Sequence, residues 1–303
     1  MKKVIDIHGH ISQIEIQDIA ELGSYDKELK YGMSPEDNLY LMDSVGVDMQ
    51  LLHSTPTLLK YHTRILKKFP ERFIAITKID ERLLPGDEGL ELIRYQIKDL
   101  GFKGLFYDTW PPPDRIDMGF DPTDWGIPDP FYHFDHQRYD PQWKLLESLG
   151  APVCITSYPE NFQTLCPAIL NVIEKFPDLK VVIVHGIDPP SLLTSDGIPW
   201  LPESAKSLID SNVYLELLPG MDMLPNKPGA PNRYGPNDEV IKLFFDNFGP
   251  EKLMWGSEFT HIELPTLKQY KSQLDYIKAK CKYIDQKSLD MIMGGTAQSL
   301  YGI

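Results

Sequence analysis

Eight short apolar runs recur along the chain, each followed by a stretch of polar and apolar residues at helical spacing. The runs cover 4–8, 47–53, 73–79, 102–107, 151–156, 179–185, 213–218 and 252–257. They are rich in β-branched and aromatic residues, which pack well on a pleated surface, so they predict eight strands. Helices are predicted over 35–45, 58–69, 88–100, 141–149, 162–176, 203–211, 238–248, 264–280 and 286–293. Ser34 stands as N-cap before Pro35, with Asp37 in the first turn. Gly46, Gly101, Gly150 and Gly249 follow helical segments, where a left-handed cap favours glycine. Apolar strands alternating with helices imply a parallel sheet covered by helices. Eight such units imply closure into a (β/α)8 TIM barrel. An open doubly wound sheet is the rival, but no glycine-rich phosphate loop follows the first strand.

No repeat, low-complexity tract or linker divides the chain, so residues 1–303 are read as one domain, a usual size for an α/β barrel. Three connections are long: 108–140, 186–201 and 219–236. All are βα loops, which crowd the C-terminal face of a barrel, where barrel chemistry resides. The first carries Trp110, Phe120, Trp125, Phe131, Tyr132, Phe134 and Tyr139, a composition that suits a substrate-covering flap better than disorder.

Hydrophobic residues make up 42% of the chain, enough for a large core. The formal net charge of −14 argues against a nucleic acid or an anionic membrane surface as partner. No apolar run reaches the length of a membrane span. No signal-peptide pattern follows the N-terminal lysines. The three cysteines, Cys154, Cys166 and Cys281, match neither a disulfide framework nor a zinc pattern, and they fit the cytoplasm. The oligomeric state is open, with a homodimer as the default.

The strongest chemical signal is Asp6-Ile7-His8-Gly9-His10. Side chains two apart on a strand share a face, so His8 and His10 converge if both stay extended. Neutral imidazoles at that separation suit a divalent transition metal. Asp6 is read as sharing the face of His8, deeper in, where it can orient the imidazole. Gly9 leaves room for a close neighbour. His185 ends the sixth apolar run and Glu258 follows the eighth, so both fall at the barrel mouth. Glu258 is a candidate ligand or general base, and His185 a candidate catalytic acid or electrophile. Glu160, Glu216, His53, His261, His133 and His136 are weaker candidates, with His53 and His261 the best placed. Arg115, Arg138 and Arg233 lie in long loops, where an arginine can clamp a carboxylate.

The segments DIHGH, APVCIT, VVIVHG, LMWGSE and GGTAQSLYGI, in that order along nearly the whole chain, resemble the amidohydrolase-related family. The resemblance is to the branch that includes aminocarboxymuconate-semialdehyde decarboxylase. It implies one divalent metal held by His8, His10 and Glu258, with His185 and Glu258 as catalytic residues. Two positions depart from the family pattern. Glu258 stands where aspartate is usual, and Thr156 where a histidine ligand is usual. The implied Zn2+ or Mn2+ is therefore held weakly or not at all. Thr156, Trp110 and Arg138 are the candidate substrate-binding residues. The implied activity is metal-dependent hydrolysis of a small carbonyl or carboxylate substrate. The alternative is non-oxidative decarboxylation of an aromatic or unsaturated acid, a carbon–carbon lyase reaction. A metal-free lactonase-like or catalytically degenerate barrel is the third reading.

Overall fold

The computed structural model describes residues 3–11, 34–79, 86–107, 135–157, 162–184, 200–218, 238–259 and 267–303. All eight predicted strands are among them: β1 (Ile5–Gly9), β2 (Met49–Ser54), β3 (Phe73–Thr77), β4 (Leu105–Tyr107), β5 (Val153–Thr156), β6 (Val181–Val184), β7 (Val213–Leu217) and β8 (Leu253–Trp255). They form one parallel sheet in chain order. The ring closes just beyond β8, where Gly9 bridges Phe259 in parallel and His10 N donates to Phe259 O at 3.1 Å. This is a TIM barrel.

The described helices are α1 (Pro35–Val45), α2 (Leu59–Lys68), α3 (Asp87–Lys98), α4 (Asp140–Leu149), α5 (Phe162–Lys175), α6 (Glu203–Lys206), α7 (Asp238–Phe248), α8 (Leu267–Lys280), α9 (Gln286–Asp290) and α10 (Thr296–Tyr301). Ser34 caps α1 by accepting from Asp37 N at 3.1 Å, and Gly46 ends it at φ 83°. Among the described residues, no helix is long and apolar enough to cross a membrane.

Two helices differ from expectation. The helix expected at 203–211 holds only the single α turn of α6. Beyond it the chain tightens into i→i+3 turns, with Leu208 N donating to Ala205 O and Ile209 N to Lys206 O. The helix expected at 286–293 is α9 as far as Asp290, continues as a wider turn from Met291, and kinks at Gly294, with φ 176° and ψ −28°, before α10 begins. A Cβ on Gly294 would lie 2.0 Å from Lys3 O, so the missing side chain lets this turn press against the start of β1. Of the long loops, 108–134, 185–199 and 219–237 lie outside the described residues. The end of the first is a 3-10 turn, Gln137–Tyr139, leading into α4.

Two apolar layers position the site. The outer one packs the helices on the sheet around Trp143, Phe244, Trp255 and Tyr270, all fully buried. Burial of a large apolar side chain of this kind contributes about 1.5–3 kcal/mol. The inner one fills the barrel with Ile5, Ile7, Leu51, Ile76, Val182 and Met254, and includes Ala297, Leu300 and Tyr301 of α10. Thr296 Oγ1 donates to Pro250 O just ahead of β8, so α10 plugs the N-terminal mouth. The C-terminal mouth is left for polar residues.

Candidate metal centre

The barrel's polar layer begins with an irregularity in β1. Asp6 pairs with Gln50, yet Gly9 pairs with Leu52, so β1 spends one residue more than β2 over this interval. This is a β-bulge, and it changes which side chains face inward. Ile5 and Ile7 belong to the inner layer, as strand alternation requires. His8 also turns inward, because the extra residue resets the alternation, and its ring stacks on that of His53 from β2, with centroids 3.9 Å apart. His10 keeps the new parity, its centroid 5.0 Å from that of His8.

Asp6 is left on the outer side. The expectation that Asp6 shares the face of His8 is therefore corrected, since a one-residue slip exchanges the two faces. Gly9 is also outward, and its close neighbour is the Gln50 side chain, which would lie 2.0 Å from a Cβ.

The carboxylate that orients His8 comes instead from β7. His8 Nδ1 donates to Glu216 Oε1 at 2.9 Å, and neither side chain is exposed. With Nδ1–H committed to the carboxylate, Nε2 carries the lone pair, the tautomer a metal needs. Glu216 interrupts the apolar run Tyr214-Leu215-Glu216-Leu217. A carboxylate inside such a run must find a partner when buried, and that signal was available in the sequence. Gly256 makes the approach possible, because a Cβ there would sit 1.9 Å from Glu216 Oε1 and 3.0 Å from His8 Cβ.

Glu258 closes the set. Its φ of 53° makes it the one non-glycine in the left-handed region among the described residues. Such a conformation costs about 1–2 kcal/mol and is typically kept where function requires it. Its neighbours are tied to β1: Ser257 N donates to Asp6 Oδ1 at 3.0 Å, and Phe259 O accepts from His10 N. One ligand atom each from His8, His10 and Glu258 lies within 4.8 Å of the others. Ligands on one tetrahedral ion, with bonds near 2.0–2.1 Å, stand roughly 3.4 Å apart, so modest side-chain rotations bring these three onto a common cation. Two imidazoles and a carboxylate, one imidazole already held in the ligating tautomer, fit a divalent transition metal.

His53 is close but differently aimed. Its Nε2 faces Ile7 O at 3.3 Å, and its ring is within 9° of parallel to that of His8. Stacked rings send their lone pairs along parallel planes, so the two do not converge on one ion. Thr156 ends β5, buried, beside Val184 of β6. Arg138 lies over the Tyr139 ring and donates to Tyr139 Oη at 2.9 Å, on the exposed rim before α4. His136 caps that turn by accepting from Arg138 N. His185, Trp110, Glu160, His261, His133, Arg115 and Arg233 lie outside the described residues.

Burial shapes the acid–base behaviour around the centre. Asp6 is pushed up to about 6 by burial, against the pull of its hydrogen bonds. His62 of α2 is pushed down to about 4 by burial while facing Ile11 O at 2.8 Å. Below the centre, burial raises the Cys154 thiol to about 12, and the Glu216 carboxylate adds to that rise.

Comparison with known proteins agrees with this architecture. The chain is similar in structure to 2,6-dihydroxybenzoate decarboxylase from Rhizobium, at 14% identity and a TM-score of 0.67, with 100% of this chain and 99% of that one covered. A Pseudomonas putida protein to which 2-pyrone-4,6-dicarboxylic acid hydrolase activity is ascribed aligns at 18% identity and a TM-score of 0.70, covering 100% and 98%. An amidohydrolase from Burkholderia multivorans with bound zinc aligns at 13% identity and a TM-score of 0.68, covering 99% of each chain. Among curated proteins nothing matches. At these identities the solved structures speak for the fold. The family model described as Amidohydrolase matches residues 5–303, and the chain therefore belongs to the amidohydrolase family.

Proposed function

We propose that this protein is a metal-dependent hydrolase of a small carbonyl or carboxylate substrate, with His8, His10 and Glu258 holding one divalent cation, Zn2+ or Mn2+. The observation that carries this reading is the convergence of those three side chains, from opposite ends of the chain, at the C-terminal ends of β1 and β8. When bound, such an ion supplies Lewis-acid polarisation of a substrate oxygen. Glu216 holds the proton on His8 Nδ1 and so keeps the ring in one tautomer and orientation. Thr156 offers a hydroxyl from the end of β5 to the substrate. His185, directly after β6, is assigned proton donation to the leaving group. Trp110 and Arg138 are assigned to substrate binding. The three buried cysteines form no disulfide, which accords with a cytoplasmic enzyme.

Decarboxylation of an aromatic or unsaturated acid is the second reading, favoured by the full-length structural likeness to a decarboxylase. The test is a panel of lactones and aromatic acids incubated with chelator-stripped protein, with and without added Zn2+ or Mn2+. Proton release reports hydrolysis and CO2 release reports decarboxylation. Metal-dependent proton release that is lost in His8→Ala supports the hydrolase. CO2 release moves the assignment to the lyase. A protein that binds no metal and turns over nothing on the panel removes both.

A further inference from the structure

One buried carboxylate touches both halves of the proposed metal centre without facing it. Asp6 Oδ1 accepts from His8 N at 3.1 Å and from Ser257 N at 3.0 Å. Asp6 Oδ2 accepts from Ser257 Oγ at 2.6 Å, Tyr270 Oη at 2.9 Å and Gln50 Nε2 at 3.0 Å. The first bond spans two residues and lies inside the β1 bulge. It gives an acceptor to a backbone N–H that the bulge removes from the ladder, and His8 is the residue the bulge turns inward. The second and third bonds fasten the residue before Glu258. Ser257 Oγ in turn accepts from Phe259 N at 3.0 Å, so the residue after Glu258 is fastened to the same group. Glu258 is thus held from both sides in its left-handed conformation.

We propose that Asp6 is the positioning residue of the centre. Its Oδ1 maintains the bulge that aims His8, and through Ser257 it maintains the turn that aims Glu258. It joins the first and last strands where ladder hydrogen bonding is sparse, so one side chain both closes the barrel and registers two ligands against each other. This inference rests on the proposed metal centre for its ligand-binding part. The aim of His8 stands apart from any metal.

The test compares four variants with the parent protein. The readouts are Co2+ titration with its visible absorption spectrum, and histidine 15N–1H correlation spectra of metal-free protein. In the parent, His8 should show the Nδ1–H tautomer held by Glu216. Asp6→Ala should lower Co2+ affinity about 10–100-fold, the range for loss of outer-shell support, and should average the His8 tautomer. Asp6→Asn keeps an oxygen at the Oδ1 position and should restore most of the affinity together with the His8 signature. Ser257→Ala should weaken Co2+ binding and alter the spectrum while leaving the His8 tautomer as in the parent, because it releases only the Glu258 turn. Ile93→Ala, a core truncation in α3, should lower thermal stability without changing either signature.

Asp6→Ala protein with parental Co2+ affinity and tautomer overturns the proposal. If Asp6→Ala does not fold, parental Co2+ binding by Ser257→Ala overturns it, and weakened binding supports it. Should the parent bind no Co2+ while Asp6→Ala still averages the His8 tautomer, the metal-centre reading fails and the aiming role of Asp6 stands.

Discussion

His8 Nδ1 and Glu216 Oε1 lie 2.9 Å apart inside the barrel, although 208 positions separate them in the chain. A histidine whose second nitrogen is held by a carboxylate is a better and better-aimed ligand than one free to rotate. Glu216→Gln keeps an oxygen that can accept from Nδ1–H but loses the charge assistance. Glu216→Leu loses both. Chelator-competition titration should show metal affinity down about tenfold for the glutamine variant and about a hundredfold for the leucine. Equal affinities for all three proteins would separate Glu216 from the centre.

Glu258 carries a conformational cost that glycine would not. Glu258→Gly should unfold at the same temperature as the parent or a few degrees higher, reflecting relief of about 1 kcal/mol. The same variant should lose metal binding and activity. Differential scanning calorimetry beside a metal titration checks both halves. A large fall in melting temperature would show that Glu258 is held for the fold and not for chemistry.

Gly256 has no room for a methyl group, since its Cβ would fall on Glu216 Oε1. Gly256→Ala should therefore push Glu216 from His8 and cost about 1–3 kcal/mol of stability, as overpacking does. Denaturant unfolding gives the stability. Adding Glu216→Ala to Gly256→Ala should recover part of the loss, because the clashing carboxylate is gone. No recovery in the double variant would place the clash elsewhere.

His62 makes acid sensitivity predictable in sign. It is buried, its pKa lowered by burial from 6.5 to about 4, and in the unfolded chain it takes up a proton near 6.5. Between those values the unfolded state binds the extra proton, so stability rises with pH. This contribution is fully present above about 6.5 and is lost as pH falls toward 4. The interval corresponds to roughly 3 kcal/mol. Urea unfolding at a series of pH values should show this slope in the parent, and a flatter one in His62→Gln. Parallel slopes would assign the acid sensitivity to other groups.

The sequence by itself determined the eight strands, most of the helices and the residue types of the centre. Those features rest on local pattern: apolar runs, helical spacing, capping residues, and a pair of histidines two apart at the end of the first strand. It also determined the Amidohydrolase family, through motifs spread along the chain. Strand alternation alone placed Asp6 beside His8. The bulge in β1 separated them, because it depends on the register against β2 and on an acceptor for one displaced N–H. Glu216 and Gly256 gained their meaning only when ring closure set β8 beside β1, with β7 one strand further on. Contacts of that kind are fixed by closure of the ring. No local spacing records them, since the partners lie hundreds of positions apart and meet only when the last strand returns to the first.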